Sequence, residues 1–143
     1  MQANMLTGTY TQSMDVKGRM AFPSKLREAI GERFIITKGF GGCLFVYSVE
    51  DFAVKADKLK AMPMAQALPL QRYFMANAAE IEADKQGRIL IPANLRELAG
   101  LEKEIVVTGV SDHCEIWSPQ RWQAVSGEIT DEMLMKALEA SNF

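Results

Sequence analysis

The stretch Asp15-Val-Lys-Gly-Arg-Met-Ala-Phe-Pro-Ser-Lys-Leu-Arg-Glu28 occurs a second time in this chain, as Asp84-Lys-Gln-Gly-Arg-Ile-Leu-Ile-Pro-Ala-Asn-Leu-Arg-Glu97. At a constant offset of 69 residues, from Asp15 to Asp84, seven of the fourteen positions are identical. The similarity continues after a one-residue shift, where Val46-Tyr-Ser48 corresponds to Ile116-Trp-Ser118. An internal repeat of this kind predicts two copies of one supersecondary unit, related by a pseudo-twofold and presenting the same charged loop twice.

Each copy predicts a strand, a tight turn, a second strand and a short helix. Gly8 to Met14 is rich in β-formers and is predicted as the first strand. Asp15 to Gly18 is predicted as the turn, because glycine tolerates positive φ and aspartate hydrogen-bonds back onto turn amides. Pro23 and Pro92 suit the first turn of a helix, where a missing N–H costs nothing. The second copy repeats the plan with the turn Asp84 to Gly87.

The later elements of the two copies also correspond. We expect strands at 34–37 and 43–47 and a helix from Ser48 to about Lys60, then strands at 104–108 and 115–117 and a helix capped by Ser118. Residues 62–69 are predicted to be a linker, followed by a helix over 70–75. The tail from Thr130 spaces Met133, Leu134, Ala137 and Leu138 as an amphipathic helix. We expect its apolar stripe to dock on the body of the protein or on a neighbouring subunit.

Strands this short cannot form a stable sheet within one unit. We therefore expect an α+β fold in which both halves interleave into one β-barrel with peripheral helices. The expected divisions of this single folded unit are a first repeat at 5–52, connecting helices at 53–76, a second repeat at 77–122 and a C-terminal helical segment at 123–143. The predicted core includes Met20, Phe22, Leu26, Ile89, Ile91 and Leu95.

Composition narrows the class of protein. The chain has 143 residues, 48% of them hydrophobic and 24% charged, which is typical of one globular domain. Its apolar runs are too short to cross a bilayer, and Met1 to Met5 lacks the features of a signal peptide, so we expect a cytoplasmic protein with no membrane association. The net charge of −2 argues against a protein that coats nucleic acid through bulk positive charge.

Metal, redox and enzymatic chemistry find little support in the sequence. Cys43 and Cys114 are interpreted as buried thiols, and His113 is the single histidine, so we expect no metal and no cofactor. A shared-proton carboxylate pair of Asp15 and Asp84 would be the enzymatic alternative. Each of these aspartates is instead followed by a turn glycine and a cation, with no nucleophile beside it. We expect that the chain is not an enzyme.

The repeated loop is the candidate binding site. Arg19 and Arg88 follow the turns directly, where a guanidinium can project beyond the strand, and Lys17 and Lys85 lie within the turns. Paired cationic tips related by a twofold suit the phosphates and base edges of a DNA groove. Gly18 and Gly87 are predicted to be structural turn residues, and Asp15 and Asp84 are able to cap their own turns. Arg27 and Arg96, on the predicted helices, are interpreted as members of structural ion pairs or interface contacts.

Over nearly its whole length, the chain resembles the MraZ family. The resemblance rests on the two Asp-x-x-Gly-Arg…Pro…Leu-Arg-Glu units, the Met/Pro-rich segment between them and the Trp-Ser-Pro of the second half. The resemblance implies two tandem SpoVT-AbrB-like repeats that form a swapped-hairpin barrel. It implies a nucleoid-associated transcriptional regulator of the bacterial division and cell-wall gene cluster, including its own promoter. A homo-oligomeric ring would bind tandem repeats in double-stranded DNA.

The same resemblance places the DNA contact on Asp15 with Arg19 and on Asp84 with Arg88, with Lys17 and Lys85 as further candidates. An alternative from the AbrB superfamily is an antitoxin that binds DNA and a toxin partner.

Overall fold

A computed structural model describes residues 5–142. The first half of the chain contains β1 (Thr9–Ser13), β2 (Arg19–Ala21), α1 (Ser24–Ile30), β3 (Arg33–Lys38), β4 (Leu44–Ser48) and α2 (Val49–Lys60). After α3 (Met64–Phe74), the second half contains β5 (Ala79–Glu82), β6 (Arg88–Leu90), α4 (Ala93–Ala99), β7 (Glu104–Gly109), β8 (Cys114–Trp117) and α5 (Pro119–Gly127). A final helix, α6, spans Asp131–Ser141. The two repeats thus have the same order of elements, and the fold is α+β.

Six of the strands form one antiparallel sheet in the order β1-β7-β8-β4-β3-β5. The hairpins β3–β4 and β7–β8 meet in the middle, where β4 pairs with β8. The first strand of each repeat pairs with the hairpin of the other repeat, since β1 lies on β7 and β5 lies on β3. This exchange joins the two halves into one core.

The remaining strands, β2 and β6, pair with each other in a separate two-stranded ribbon. Across the turn, a single bridge between Met14, which follows β1, and Met20 of β2 connects the two strands, while all three residues of β2 pair with β6. The six-stranded sheet is open at β1 and β5, so the expected closed barrel is not confirmed by the strand pairing.

The core lies between the sheet and the ribbon with helices α1 and α4. All six side chains predicted for the core are buried, none more than 2% exposed: Met20, Phe22, Leu26, Ile89, Ile91 and Leu95. A smaller cluster on the other side of the sheet contains Tyr47, Trp117 and Cys43, with Phe52 and Trp122 packed against it from α2 and α5. Cys43 and Cys114 are free and buried, and burial raises the pKa of each thiol to about 12. They are unreactive packing residues at neutral pH, as interpreted from the sequence.

The helix starts follow the predicted caps. Ser48 accepts a hydrogen bond from the Asp51 amide at 3.0 Å, and Ser118 accepts one from the Arg121 amide at 3.2 Å. Both serines therefore satisfy an amide that the first helical turn leaves unpaired.

The prediction of a linker over 62–69 is wrong, because α3 begins at Met64 and continues through Pro69. Pro63 precedes the first turn, and the residues that follow it are good helix formers. Proline inside a helix removes the hydrogen bond to the carbonyl four residues earlier. Here Pro69 and Ala65 are both exposed, so water can replace that bond.

The tail helix α6 forms as predicted, but it does not dock on the body of the chain. All of its described residues are exposed, including Met133, Leu134 and Leu138 at 55%, 49% and 45%. Its apolar face therefore has no partner among residues 5–142. In the region 5–142, the helices are too short or too polar to cross a bilayer. The segment Met1 to Asn4, on which the expectation of no signal peptide rests, lies outside the described residues.

Candidate nucleic-acid interface

The β2–β6 ribbon has one buried face and one exposed face. Met20 pairs with Ile89 on the buried face, at 2% and 1% exposure. Directly paired residues of an antiparallel ribbon have their side chains on the same face. The exposed face carries the pairs Arg19–Leu90 and Ala21–Arg88, and all four residues are exposed. The alternation along three residues of each strand thus fixes both arginines on one surface.

The register also fixes the spacing of the two arginines. Arg19 is opposite Leu90, two residues from Arg88, so the arginines form a diagonal pair. Diagonal neighbours on an antiparallel pair are roughly 7–8 Å apart. The turns that precede them leave the ribbon at opposite ends, because the strands are antiparallel. The result is a short cationic ribbon with a loop at each end.

Each loop is held by its own aspartate. Asp15 Oδ1 accepts hydrogen bonds from the backbone amides of Lys17 and Arg19, both at 2.9 Å. Asp84 Oδ1 accepts equivalent bonds from the amides of Gln86 and Arg88 at 2.9 Å. The backbone amide of the following arginine is the main cause that holds the pKa of Asp15, and likewise of Asp84, below its ordinary value of 3.8. Both aspartates therefore carry a negative charge at neutral pH and clamp their turns, as predicted.

The aspartates also orient the arginines. Arg88 Nε donates to Asp84 Oδ2 at 3.1 Å, and Arg19 Nε lies 3.6 Å from Asp15 Oδ2. These contacts run through Nε, and the Nη nitrogens of both arginines have no hydrogen-bond partner within residues 5–142. The outer edge of each guanidinium is thus free for a phosphate or a guanine edge.

The other candidate residues lie in the two turns that flank the ribbon. Lys17 and Lys85 are exposed within the two turns, beside Val16 and Gln86. The surface therefore has four cationic side chains, with two carboxylates already engaged by loop amides. A chain with net charge −2 concentrates positive charge here by placement rather than by composition.

The two loops are joined to the opposite repeats through backbone hydrogen bonds. The Phe22 amide donates to the Gly87 carbonyl at 3.0 Å, and the Ile91 amide donates to the Gly18 carbonyl at 2.9 Å. Gly18 and Gly87 have φ of 94° and 79°, a region that side-chain-bearing residues rarely adopt. They are structural turn residues, as predicted.

Arg27 and Arg96 were interpreted from the sequence as members of structural ion pairs or interface contacts. Arg27 does form an ion pair, with Glu32 at 3.5 Å, whereas in the described region Arg96 lies within 4 Å of no carboxylate. Both are half-buried, and each lies against a loop glycine of the other repeat. Their recurrence at equal offsets signalled importance, but nothing local indicated contact with the opposite loop.

The alternative of a carboxylate pair is not favoured by this geometry. Asp15 and Asp84 lie in loops at opposite ends of the ribbon, each bound to its own turn, so the two carboxylates do not meet in a cleft. Within residues 5–142, no three His, Cys, Asp or Glu side chains are grouped to hold a metal ion.

Comparison with known proteins gives one consistent result. The family model described as "MraZ protein, putative antitoxin-like" matches residues 5–69 and 74–141. The "Transcriptional regulator MraZ" of Lachnoclostridium phytofermentans is 51% identical over 130 residues, which cover 90% of this chain and 92% of the relative. That of Acetivibrio thermocellus is 49% identical over 126 residues, covering 87% and 88%. That of a Thermoanaerobacter species is 46% identical over 142 residues, covering 96% and 99%.

Proposed function

This chain belongs to the MraZ family, and we propose that it is a transcriptional regulator that binds double-stranded DNA through the β2–β6 ribbon and its two loops. Arg19 and Arg88 make the principal contacts, and Lys17 and Lys85 contact flanking phosphates. Asp15 and Asp84 contribute by shaping the loops and aiming the guanidinium groups.

The observation that carries this proposal is the pair of exposed, oriented arginines on one face of a two-stranded ribbon. The major groove of B-DNA is about 12 Å wide and admits such a ribbon. Arginine with free Nη nitrogens matches the two acceptors of guanine or a phosphate. Leu90 is 52% exposed and lies opposite Arg19 on the same face of the ribbon as Arg88, and it is an apolar group suited to a thymine methyl.

The proposal includes self-assembly. One ribbon offers few phosphate contacts, and affinity per protomer is correspondingly low. Linked sites raise avidity by roughly 10²–10⁴ when target repeats match their spacing. The uncovered face of α6, with Met133, Leu134 and Leu138, supports a contact between copies of the chain. In the finer form of the proposal, the repeats 5–52 and 77–122 of each protomer form a swapped-hairpin barrel, and a ring of protomers docks on tandem DNA repeats.

The proposed targets are promoters of the division and cell-wall gene cluster, including the one upstream of the protein's own gene. The corresponding location is cytoplasmic and associated with the nucleoid. These assignments are part of the proposal, and the family resemblance described above supports them.

Fluorescence anisotropy with the duplex upstream of the protein's own gene tests the proposal, with a shuffled duplex as reference. We expect preference for the promoter, lost in the Arg19→Ala/Arg88→Ala double variant. Arg72→Ala is the matched control, because Arg72 is exposed on α3, which packs on α2 and β3 rather than on the ribbon. Equal binding of both duplexes, or a double variant that binds like the control, would contradict the proposal.

The antitoxin alternative predicts a different result. The exposed face of α6 would then hold a second protein rather than another copy of the chain. Light scattering of the purified protein separates the two, since Leu134→Glu/Leu138→Glu is expected to reduce the oligomer while the fold survives by circular dichroism. An oligomer unaffected by these changes, together with recovery of a small toxin partner, would favour the antitoxin.

A further inference from the structure

We propose that Arg27 and Arg96 are positioning residues, each of which holds the DNA-binding loop of the opposite repeat in its binding conformation. This inference rests on the proposed function for its consequence in DNA binding, but its structural part concerns the free protein. It makes the two loops interdependent: neither adopts its shape without the helix of the other repeat.

The first step is the contact between guanidinium and glycine. A Cβ atom placed on Gly18 would lie 2.6 Å from Arg96 Nε and 2.8 Å from its Cζ. A Cβ atom placed on Gly87 would lie 2.6 Å from Arg27 Nη1 and 2.8 Å from its Cζ. Each guanidinium is thus packed directly against the glycine of the opposite loop, and no larger residue fits in that position without displacing it.

The second step is the hydrogen-bond chain that fixes each guanidinium. Arg27 Nη1 donates to the Phe22 carbonyl at 2.9 Å, and the Phe22 amide donates to the Gly87 carbonyl at 3.0 Å. Arg96 Nε donates to the Ile91 carbonyl at 2.9 Å, and the Ile91 amide donates to the Gly18 carbonyl at 2.9 Å. One peptide segment therefore binds the helix arginine on one side and the opposite loop on the other.

The third step is the connection to the candidate DNA contacts. Gly18 directly precedes Arg19, and Gly87 directly precedes Arg88. A change in the glycine backbone therefore reorients the strand start from which the guanidinium projects. Because both loops depend on the opposite helix, we expect them to be formed together, which suits recognition of two adjacent positions on one duplex.

The pattern of effects distinguishes positioning from general stabilisation. Loss of Arg96 is expected to loosen the loop at 15–19, and loss of Arg27 is expected to loosen the loop at 84–88. If each arginine merely stabilised its own helix, its loss would loosen the loop of its own repeat, or both loops equally. The prediction is thus crossed between the repeats.

Amide hydrogen exchange of the free protein, read by NMR, tests this without DNA. The reporters are the amides of Lys17 and Arg19 in one loop and of Gln86 and Arg88 in the other, all of which donate to loop aspartates. We expect Arg96→Ala to accelerate exchange at the first pair by about tenfold and to leave the second pair near wild type, the tenfold step corresponding to a modest local opening.

A second variant covers the case in which the alanine substitution weakens the whole fold. Arg96→Lys keeps the charge and the aliphatic stem, but lacks the planar fork that reaches both Gly18 and the Ile91 carbonyl. We expect it to fold and to show the same selective exchange. Wild-type protection in Arg96→Lys, or equal loosening of both loops in the folded variants, would overturn the proposal.

The consequence for DNA follows from a double-mutant cycle in the anisotropy assay. Arg96→Ala is expected to weaken binding about tenfold, comparable to the loss of one arginine contact. Combined with Arg19→Ala, in which the contact is already lost, Arg96→Ala should weaken DNA binding little further. Combined with Arg88→Ala, it should weaken binding by its full effect of about tenfold. Crossed exchange without any DNA binding by the wild type would refute the proposed function and leave the positioning role standing. If the wild type binds DNA and Arg96→Ala adds its full effect to both Arg19→Ala and Arg88→Ala, the positioning role is refuted and the proposed function stands.

Discussion

The salt dependence of DNA binding gives a quantitative test of the ribbon. Four cationic side chains lie on this surface: Lys17, Arg19, Lys85 and Arg88. Each phosphate neutralised contributes about 0.9 to the slope of log K against log salt, so four contacts predict a slope of about −3.6 per protomer. Between 50 and 200 mM salt this corresponds to a loss of affinity of about 150-fold. The Arg19→Ala/Arg88→Ala variant keeps two contacts, and its slope should fall to about −1.8, a loss of about 12-fold.

The assay is anisotropy titration over this salt range with a duplex of about one and a half helical turns, roughly 15 bp. A short duplex keeps the number of engaged protomers small, so that the slope reports one ribbon. Arg72→Ala serves as the control and should keep the full slope. A double variant whose slope equals that of the wild type would refute the reasoning, because the ribbon arginines would then not neutralise phosphates.

Three further predictions concern the fold. Gly18→Ala and Gly87→Ala should each lower the free energy of unfolding by about 1–2 kcal/mol, because alanine disfavours positive φ. The loss should be larger for Gly18→Ala, because its Cβ would also lie 3.0 Å from the Ile91 carbonyl oxygen. Urea unfolding measures both losses. For His113, burial lowers the pKa but the carboxylates of Glu115 and Asp112 outweigh it, so the folded pKa is raised above 6.5. The charge-dependent part of the stability that His113 contributes, measured as the difference between wild type and His113→Gln, should therefore be fully present below pH 6.5 and should be lost as pH rises through the raised pKa. Ile89→Ala, on the buried face of the ribbon, should lower the free energy of unfolding by about 2–5 kcal/mol in the same assay.

Each of these has a control within the chain. Leu90→Ala, at the exposed neighbour of Ile89, should change stability by less than about 0.5 kcal/mol, and equal losses at both sites would contradict the ribbon's orientation. Equal costs for the two glycine variants would show that the carbonyl contact is unimportant. A stability gap for His113→Gln that grows with rising pH would reverse the sign argued from its two carboxylate neighbours.

Much of the local structure was predictable from the sequence. Asp-x-x-Gly specifies a turn because aspartate caps its amides and glycine accepts positive φ, and the structure has that turn twice. The alternation around Met20 and Ile89 places those residues inside and the arginines outside. Serine caps at Ser48 and Ser118 likewise follow from neighbouring residues. These features depend on contacts within a few positions of the chain, so the local sequence contains their cause.

The α3 helix shows where local rules mislead. Met62 to Pro69 has the composition of a linker, but the helix runs through Pro69 because its exposed surface tolerates one missing backbone bond. The apolar stripe of α6 was predicted, and the sequence left open whether it would dock on the body or on a neighbouring subunit; within residues 5–142 it is exposed.

The duplication, the turns, the core and the charged loop were determined by the sequence itself, since each is a property of residue type and spacing. Only the tertiary structure decided which strand pairs with which. It paired β2 with β6 rather than with β1, and it left the large sheet open at β1 and β5. It also placed Arg27 and Arg96 against the opposite loops. Such pairings join residues that are distant along the chain, and they depend on closing long loops and on the fit of both halves at once, which short-range patterns do not encode.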